Sequence, residues 1–226
     1  MTRRNSARVA GATFLLYIVV GITQMVIGSG STSGDTTAQR LVSVAAHASQ
    51  IRMNLLLTFV ISTIALTLAV TLYAITRDED HELSTLALIC RVIEGGVTPV
   101  ISMFGTLSLL SIATSPRASA EDAASSFPIV EFLLGMDRWP PIVAGTFFAI
   151  GSTIFTYLML RGRMIPSALA WLGVLASVLL VVALPLQLVG ILSGLATRVM
   201  WIPMAAFEIP LGVWLIVKGV APVRSA

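Results

Sequence analysis

The sequence predicts an all-α fold, an integral membrane six-helix bundle with short interfacial helices in its two long external loops. Three observations carry that prediction. Of the 226 residues, 56% are hydrophobic and only 11% are charged, against about 25% charged in soluble domains. The apolar residues gather into six blocks, at about 9–27, 53–75, 83–112, 142–160, 168–192 and 199–217, each long enough to cross a bilayer as a helix. The blocks are unbroken rather than alternating, which selects helices over a barrel. They make one domain spanning 1–226, with no room for a second.

The first block follows Arg3, Arg4 and Arg8 and ends at Gly28-Ser29-Gly30-Ser31. A charged start and an apolar stretch resemble a secretory signal, but five further spans follow, so an uncleaved first helix is expected. Beyond it, Leu41, Val44, Ala45 and Ala48 recur at the spacing of one helix face. Asp35 or Thr36 can cap this short amphipathic helix, which is expected to lie in the membrane interface. His47, Gln50, Arg52 and Asn54 cluster at the head of the second span, where Arg52 either snorkels to headgroups or opens a polar cavity. Arg77-Asp78-Glu79-Asp80-His81-Glu82 joins spans two and three. Consecutive acids cannot converge on one ion and no calcium-loop periodicity is present, so a solvated connector is expected and no metal site.

In the third span Arg91 and Glu94 lie inside the apolar run, and by helical spacing Thr98, Ser102 and Gly105 or Thr106 share their stripe. Gly95-Gly96 permits close helix contact, and Pro99 is expected to bend the helix. Pro128 to Met136 is too short to span and is expected to be interfacial or re-entrant, anchored by Trp139. Span four carries the small residues Gly145, Thr146, Gly151, Ser152, Thr153 and Thr156. Span five contains Pro185 and Gln187, a further candidate cavity residue. Span six holds Pro203, Glu208 and Pro210 between Arg198 and Trp201 at one end and Lys218 at the other.

The net charge of +3 and basic isoelectric point do not come with a basic patch interleaved with aromatics, so no nucleic-acid partner is expected. The positive charge instead reports topology. With the N-terminus inside, Arg3, Arg4, Arg8, Arg77, Arg161, Arg163, Lys218 and Arg224 fall on the inner side, and Arg40, Arg52, Arg117, Arg138 and Arg198 on the outer. Both termini are expected in the cytoplasm, and the protein in a bacterial inner (plasma) membrane. The single cysteine, Cys90, excludes an internal disulfide and a cysteine metal cluster.

Ionisable residues inside a membrane span are costly and mark functional sites by default. At 1.5 Å rise per residue, Glu94 lies about 16 Å from the inner end of its helix, Glu208 about 14 Å from its own, and Arg91 about 4.5 Å below Glu94. Arg91, Glu94 and Glu208 therefore form one candidate midplane site, provided that the third and sixth helices are neighbours. Arg52, Asn54, Thr98, Ser102 and Gln187 are the candidate accessory residues of the cavity. Two carboxylates facing one guanidinium leave one negative charge over, which a low-dielectric site relieves by a bound proton. A bridging arginine that merely fixes helix packing is the competing explanation.

Arg8-Val9-Ala10-Gly11 with Leu15-Leu16-Tyr17 following, Arg52, Arg91-Val92-Ile93-Glu94, Phe147-Phe148, Tyr157-Leu158, Pro166, Trp171-Leu172-Gly173-Val174-Leu175 and Glu208 with Leu211 to Gly219 occur in an order that resembles a bacterial six-helix membrane family, domain of unknown function 4386. The resemblance covers nearly the whole chain. It implies six spans and the same charges at Arg91, Glu94 and Glu208, and it supplies no activity. Some relatives place a histidine where Gly151 stands, so histidine chemistry is not carried over.

Three functions follow. The protein binds or moves a small solute or proton through the Arg/Glu site, for which a pathway through six helices calls for a homodimer in the lipid bilayer. Alternatively it is a membrane-embedded enzyme in which Glu94 or Glu208 donates a proton to a lipophilic substrate, as in isoprenoid cyclisation. Lastly, it is a structural or regulatory subunit. No nucleophile motif or metal-binding carboxylate pair favours the enzyme, and no cofactor is expected.

Overall fold

The computed structural model describes residues 2–115, 127–136 and 139–221, and among these residues it contains helices and no strand. In chain order they are α1 (Arg3–Gly28), α2 (Thr37–Ala46), α3 (Ala48–Thr76), α4 (His81–Val92), a π-helical turn (Ile93–Val97), α5 (Thr98–Ala113), α6 (Phe127–Met136), α7 (Pro140–Arg161), α8 (Ser167–Leu188), α9 (Ala196–Val199) and α10 (Ile202–Val217). Six of the helical runs are long and apolar enough to cross a membrane. The spans are α1, α3, α4 with α5, α7, α8, and α9 with α10, and the protein is a multi-pass membrane protein.

Local chemistry sets the helix ends. Thr36 Oγ1 accepts the Gln39 N–H at 3.2 Å while the Gln39 side chain accepts the Thr36 N–H at 3.2 Å, a reciprocal cap that fixes the start of α2. Asp80 Oδ1 accepts the Leu83 N–H at 3.0 Å and starts α4. Hydroxyls within the spans turn back onto the preceding turn, as Thr63 does to Phe59 O and Thr67 to Thr63 O, which removes an otherwise unmet donor from lipid.

The six spans pack as a ring in chain order, each against the next, and the sixth closes on the first through α1 and α10. At that closure Gly11 and Gly212 meet backbone to backbone, where a Cβ on Gly11 would lie 2.5 Å from the Gly212 carbonyl oxygen. The third and sixth spans are thus not the adjacent pair that the sequence argument required; they face one another across the interior. One half of that interior is filled by Phe14, Leu72, Phe155, Met159, Phe207 and Leu211. The opposite, bilayer-facing surface exposes Leu56, Phe59, Val70, Leu175, Val182 and Val213, where apolar exposure to lipid carries no penalty.

Both ends of the described chain lie on one side. Arg3 Nη2 donates to the Ile75 carbonyl at 2.9 Å, and the Ala221 N–H donates to the Met164 carbonyl at 3.1 Å. Arg161 pairs with Glu79 at 3.1 Å and Asp80 at 3.3 Å, so the acidic hairpin ties α3 and α4 to α7. At the far end α2 and α6 form a cap, with Val44, Ile51, Leu109, Leu110 and Val130 in one apolar cluster and Thr37 Oγ1 donating to Glu131 Oε1 at 2.8 Å. These are the two short helices expected from the sequence in its two long loops, both at the end opposite the termini. The Ser/Ala-rich loop at 116–126, Asp137, Arg117, Arg138 and Arg224 lie outside the described residues.

Three boundaries differ from expectation. The fifth helix stops at Leu188 rather than 192, because Gly190 takes φ +79° and the Ile191 and Leu192 N–H groups fold back onto the Leu186 carbonyl, a stop that hydropathy does not register. The sixth span breaks at Met200-Trp201, just ahead of Pro203, while α8 and α10 run through Pro185 and Pro210. In the third span the irregularity lies at Ile93–Val97, before Pro99, which occupies the first turn of α5, where its missing N–H is tolerated.

The π-helical turn presses on α3 through Gly95, where a Cβ would sit 2.6 Å from the Ala65 Cβ, whereas one on Gly96 would meet Leu66 Cδ2 at an ordinary 3.6 Å. Gly95→Ala is therefore expected to destabilise the fold by about 1–3 kcal/mol and Gly96→Ala to change it by less than about 0.5 kcal/mol, measured by thermal unfolding in detergent.

Candidate functional site

Arg91 lies in the last turn of α4 and Glu94 in the π-helical turn, and both are buried, at 2% and 6% exposure. Their charged groups pair at 3.4 Å, Arg91 Nη1 to Glu94 Oε2. From α1, the Tyr17 hydroxyl donates to the other Glu94 oxygen at 2.9 Å. From α7, the Phe148 ring covers the guanidinium, whose carbon is 4.7 Å from the ring centroid, a cation–π contact strengthened by desolvation. Gly151, one turn further along α7, makes room for the arginine stem: a Cβ there would lie 3.1 Å from Arg91 Cγ and 3.2 Å from the Ala87 carbonyl oxygen.

The sixth span adds Glu208, 9% exposed. It lines a small gap of about 10 Å³ together with Arg91, Ser152 and Thr156, no larger than one water occupies. On its other side Glu208 faces a cleft of about 530 Å³. The cleft floor is Tyr17, Glu94 and Glu208, and its walls are apolar: Ile18, Ile22, Phe148, Trp201, Met204 and Ile209 are among them. Trp201 and Phe148 stand with ring centroids 6.1 Å apart. A mostly apolar concavity of this size with a few convergent polar groups is the usual form of a small-molecule site.

Arg91 Nη1 and Glu94 Oε2 are each other's partners, at an ion-pair distance that is long for a charged hydrogen bond. Glu208 makes no hydrogen bond or ion pair among the described residues.

Of the accessory residues, the structure brings none to the floor of this cleft. Arg52 is exposed near the start of α3, in the position of a snorkelling side chain. Thr98 is buried, but its hydroxyl and N–H both serve the Ile93 carbonyl across the π-helical turn, the hydroxyl at 2.9 Å. Asn54 and Ser102 share a separate cleft of about 60 Å³ between α3 and α5, with Thr106 beside them. The predicted stripe assumed a continuous α-helix; one extra residue in the turn rotates everything after it by about 100°, carrying Ser102 and Thr106 away from Glu94. Gln187 lies in the last turn of α8, half-buried, and lines neither the cleft nor the gap below it.

The sequence argument missed Tyr17, Phe148 and Trp201. A tyrosine in mid-span was the available signal for the first, since its hydroxyl needs a partner in lipid. Trp201 was read as a flank that anchors its helix, and Phe148 entered only as part of the Phe147-Phe148 family motif.

A family pattern matches residues 9–219, which include all six spans and Arg91, Glu94 and Glu208. The chain belongs to the family described as a domain of unknown function, DUF4386. No curated protein and no solved structure matches it. In this DUF4386 chain the tyrosine contact is the part of the cluster most readily isolated. Tyr17→Phe removes the donor to Glu94 and is expected to cost about 1–3 kcal/mol. Tyr73→Phe, whose hydroxyl meets only the exposed His81 ring at 3.2 Å, is expected to cost less than about 0.5 kcal/mol. Thermal unfolding of the two variants in detergent compares them.

Proposed function

We propose that this DUF4386 protein binds a small solute in the cleft and exchanges it for a proton held by the Glu94 and Glu208 carboxyls, in the inner membrane of a bacterium with both termini in the cytoplasm. One observation carries the proposal. Titratable groups from three separate spans converge, buried, at the bottom of an apolar cleft. The cleft is lined by Ile22, Pro141 and Trp201, which lie toward the helix ends opposite the termini, so on this reading the site is entered from that half of the membrane. Access from one side at a time is what movement of a solute across a membrane requires. Acid catalysis would use the same two carboxyls, but apart from Tyr17 the walls supply no further group for it.

The orientation is supported by the charges. Among the described residues Arg3, Arg4, Arg8, Arg77, Arg161, Arg163 and Lys218 belong to the end that holds the termini, and Arg40, Arg52 and Arg198 to the far end. Cytoplasmic loops carry the excess. In a Cys90→Ser background, a membrane-impermeant maleimide is expected to label Ser33→Cys in intact cells and Arg163→Cys only after permeabilisation; the reverse pattern would invert the assignment.

Proton holding is tested with dicyclohexylcarbodiimide, an apolar reagent that modifies protonated carboxyls reached through lipid. Protein in lipid nanodiscs is expected to take the label on Glu208 or Glu94, located by peptide mass spectrometry, with the yield falling as pH rises. Absence of label on both residues from acid to alkaline pH overturns the proposal.

A further inference from the structure

The signs of the groups that reach the cleft are unequal. Glu94 and Glu208 line it, and both present acceptors; the Tyr17 hydroxyl lines it too, but is already donated to Glu94. Arg91 does not line it. Its guanidinium lies against the Phe148 ring, 4.7 Å from the centroid, and Arg91 lines the small gap beneath Glu208. An anion entering the cleft would meet two carboxylates and an aromatic face, with the one cation of the cluster screened from it.

Charge counting gives the valence. The groups facing Glu208 are Arg91 and Glu94 from the third span and Tyr17 from the first; α8 carries no ionisable residue and α7 offers only Ser152 and Thr156 at this depth. Arg91 is permanently charged and balances one carboxylate, so one negative charge remains when both are ionised. One monovalent cation, or one proton, neutralises the site.

The walls decide the kind of cation. A small hydrated ion entering this site would have to exchange its water for a cage of oxygens; the cleft has oxygens only at its floor, beneath isoleucine, methionine and aromatic side chains. Among the described residues no group of three or more His, Cys, Asp or Glu stands together. Phe148 and Trp201 instead present aromatic faces, which attract an organic ammonium or phosphonium. Ile22 and Ile209, on the rim between α1 and α10, are 60% and 46% exposed, so a solute dissolved in the bilayer meets the opening directly. The volume, about 530 Å³, suits a molecule of drug size.

We infer that the solute is a lipophilic monocation, an amine or quaternary onium ion with apolar substituents, seated with its charge on Glu94 and Glu208 and its substituents against Phe148 and Trp201. This rests on the solute–proton exchange proposed above and names the class of solute.

The test uses tetraphenylphosphonium, with tetraphenylborate as a probe of the same shape and opposite charge, added to the full-length protein in nanodiscs at neutral pH. Saturable binding of the cation by calorimetry is expected, with release of protons into weakly buffered solution, and no saturable binding of tetraphenylborate titrated alone in a separate sample. Glu208→Gln is expected to weaken binding by roughly tenfold or more, the scale of one lost charge contact. Trp201→Leu, which leaves the carboxylates untouched, is expected to weaken it by several-fold. Saturable binding of tetraphenylborate, titrated alone, with an affinity equal to that of the cation overturns the inference from the wild-type protein alone, whatever the fate of the variants. Failure to bind the cation while carbodiimide still labels Glu208 or Glu94 overturns the solute class and leaves proton holding intact. Failure of both overturns both.

Discussion

A guanidinium that never loses its charge lies in the middle of a membrane protein, and the rest of the structure accommodates that fact. Arg91 is 2% exposed. Placing an arginine at that depth costs about 3 kcal/mol on insertion scales and considerably more for an isolated helix. Four features offset this: the Glu94 carboxylate at 3.4 Å, the Phe148 ring above the guanidinium, the missing side chain at Gly151, and Glu208 across the small gap. They come from three different spans. The ring of helices can therefore close in this arrangement only if the third, fourth and sixth spans hold a common depth, and the packed half of the core follows from that register.

The π-helical turn belongs to the same constraint. Arg91 stands just before it and Glu94 inside it, so the widened turn sets the angle between the two charges. Gly95 lets that wider turn fit against Ala65 of α3, and the Thr98 hydroxyl adds a second donor to the Ile93 carbonyl. The glycine, threonine and proline that follow Glu94 thus serve one local distortion. Such turns recur at functional sites because they redirect side chains without ending the helix.

How much of this was legible from the sequence depends on the kind of signal. The six spans and the two short external helices follow from block length and periodicity, which survive any detail of packing. Arg91, Glu94 and Glu208 stood out because charges inside apolar runs have few innocent explanations. Their convergence was expected from their common depth, on the condition that the third and sixth spans were neighbours; that these spans instead face one another across the bundle was not legible, since helix order around a ring leaves no mark on any one helix. Ser102 was misplaced because a single extra residue in a turn changes every later facing, while Gly-Gly before Thr-Pro is equally compatible with a plain kink. Gln187 was misplaced because hydropathy runs on past Gly190, where the backbone stops. Phe148 and Trp201 were invisible as site residues because an aromatic wall and an aromatic core residue read alike in sequence.

A fixed arginine also limits what the two carboxyls can do. A lysine in its place would be able to give up its proton, and the cluster could then change charge at either sign. With arginine, the positive charge is permanent, and one carboxylate is always matched by a cation that stays behind Phe148. The cleft therefore presents at most one uncompensated negative charge. In the proposed exchange that charge can be met by one proton or by one monocation, and simultaneous occupancy would leave a net positive charge in a low-dielectric site, which is unfavourable. Mutual exclusion of the two follows from the charge on one buried side chain, without any requirement that they compete for the same atom.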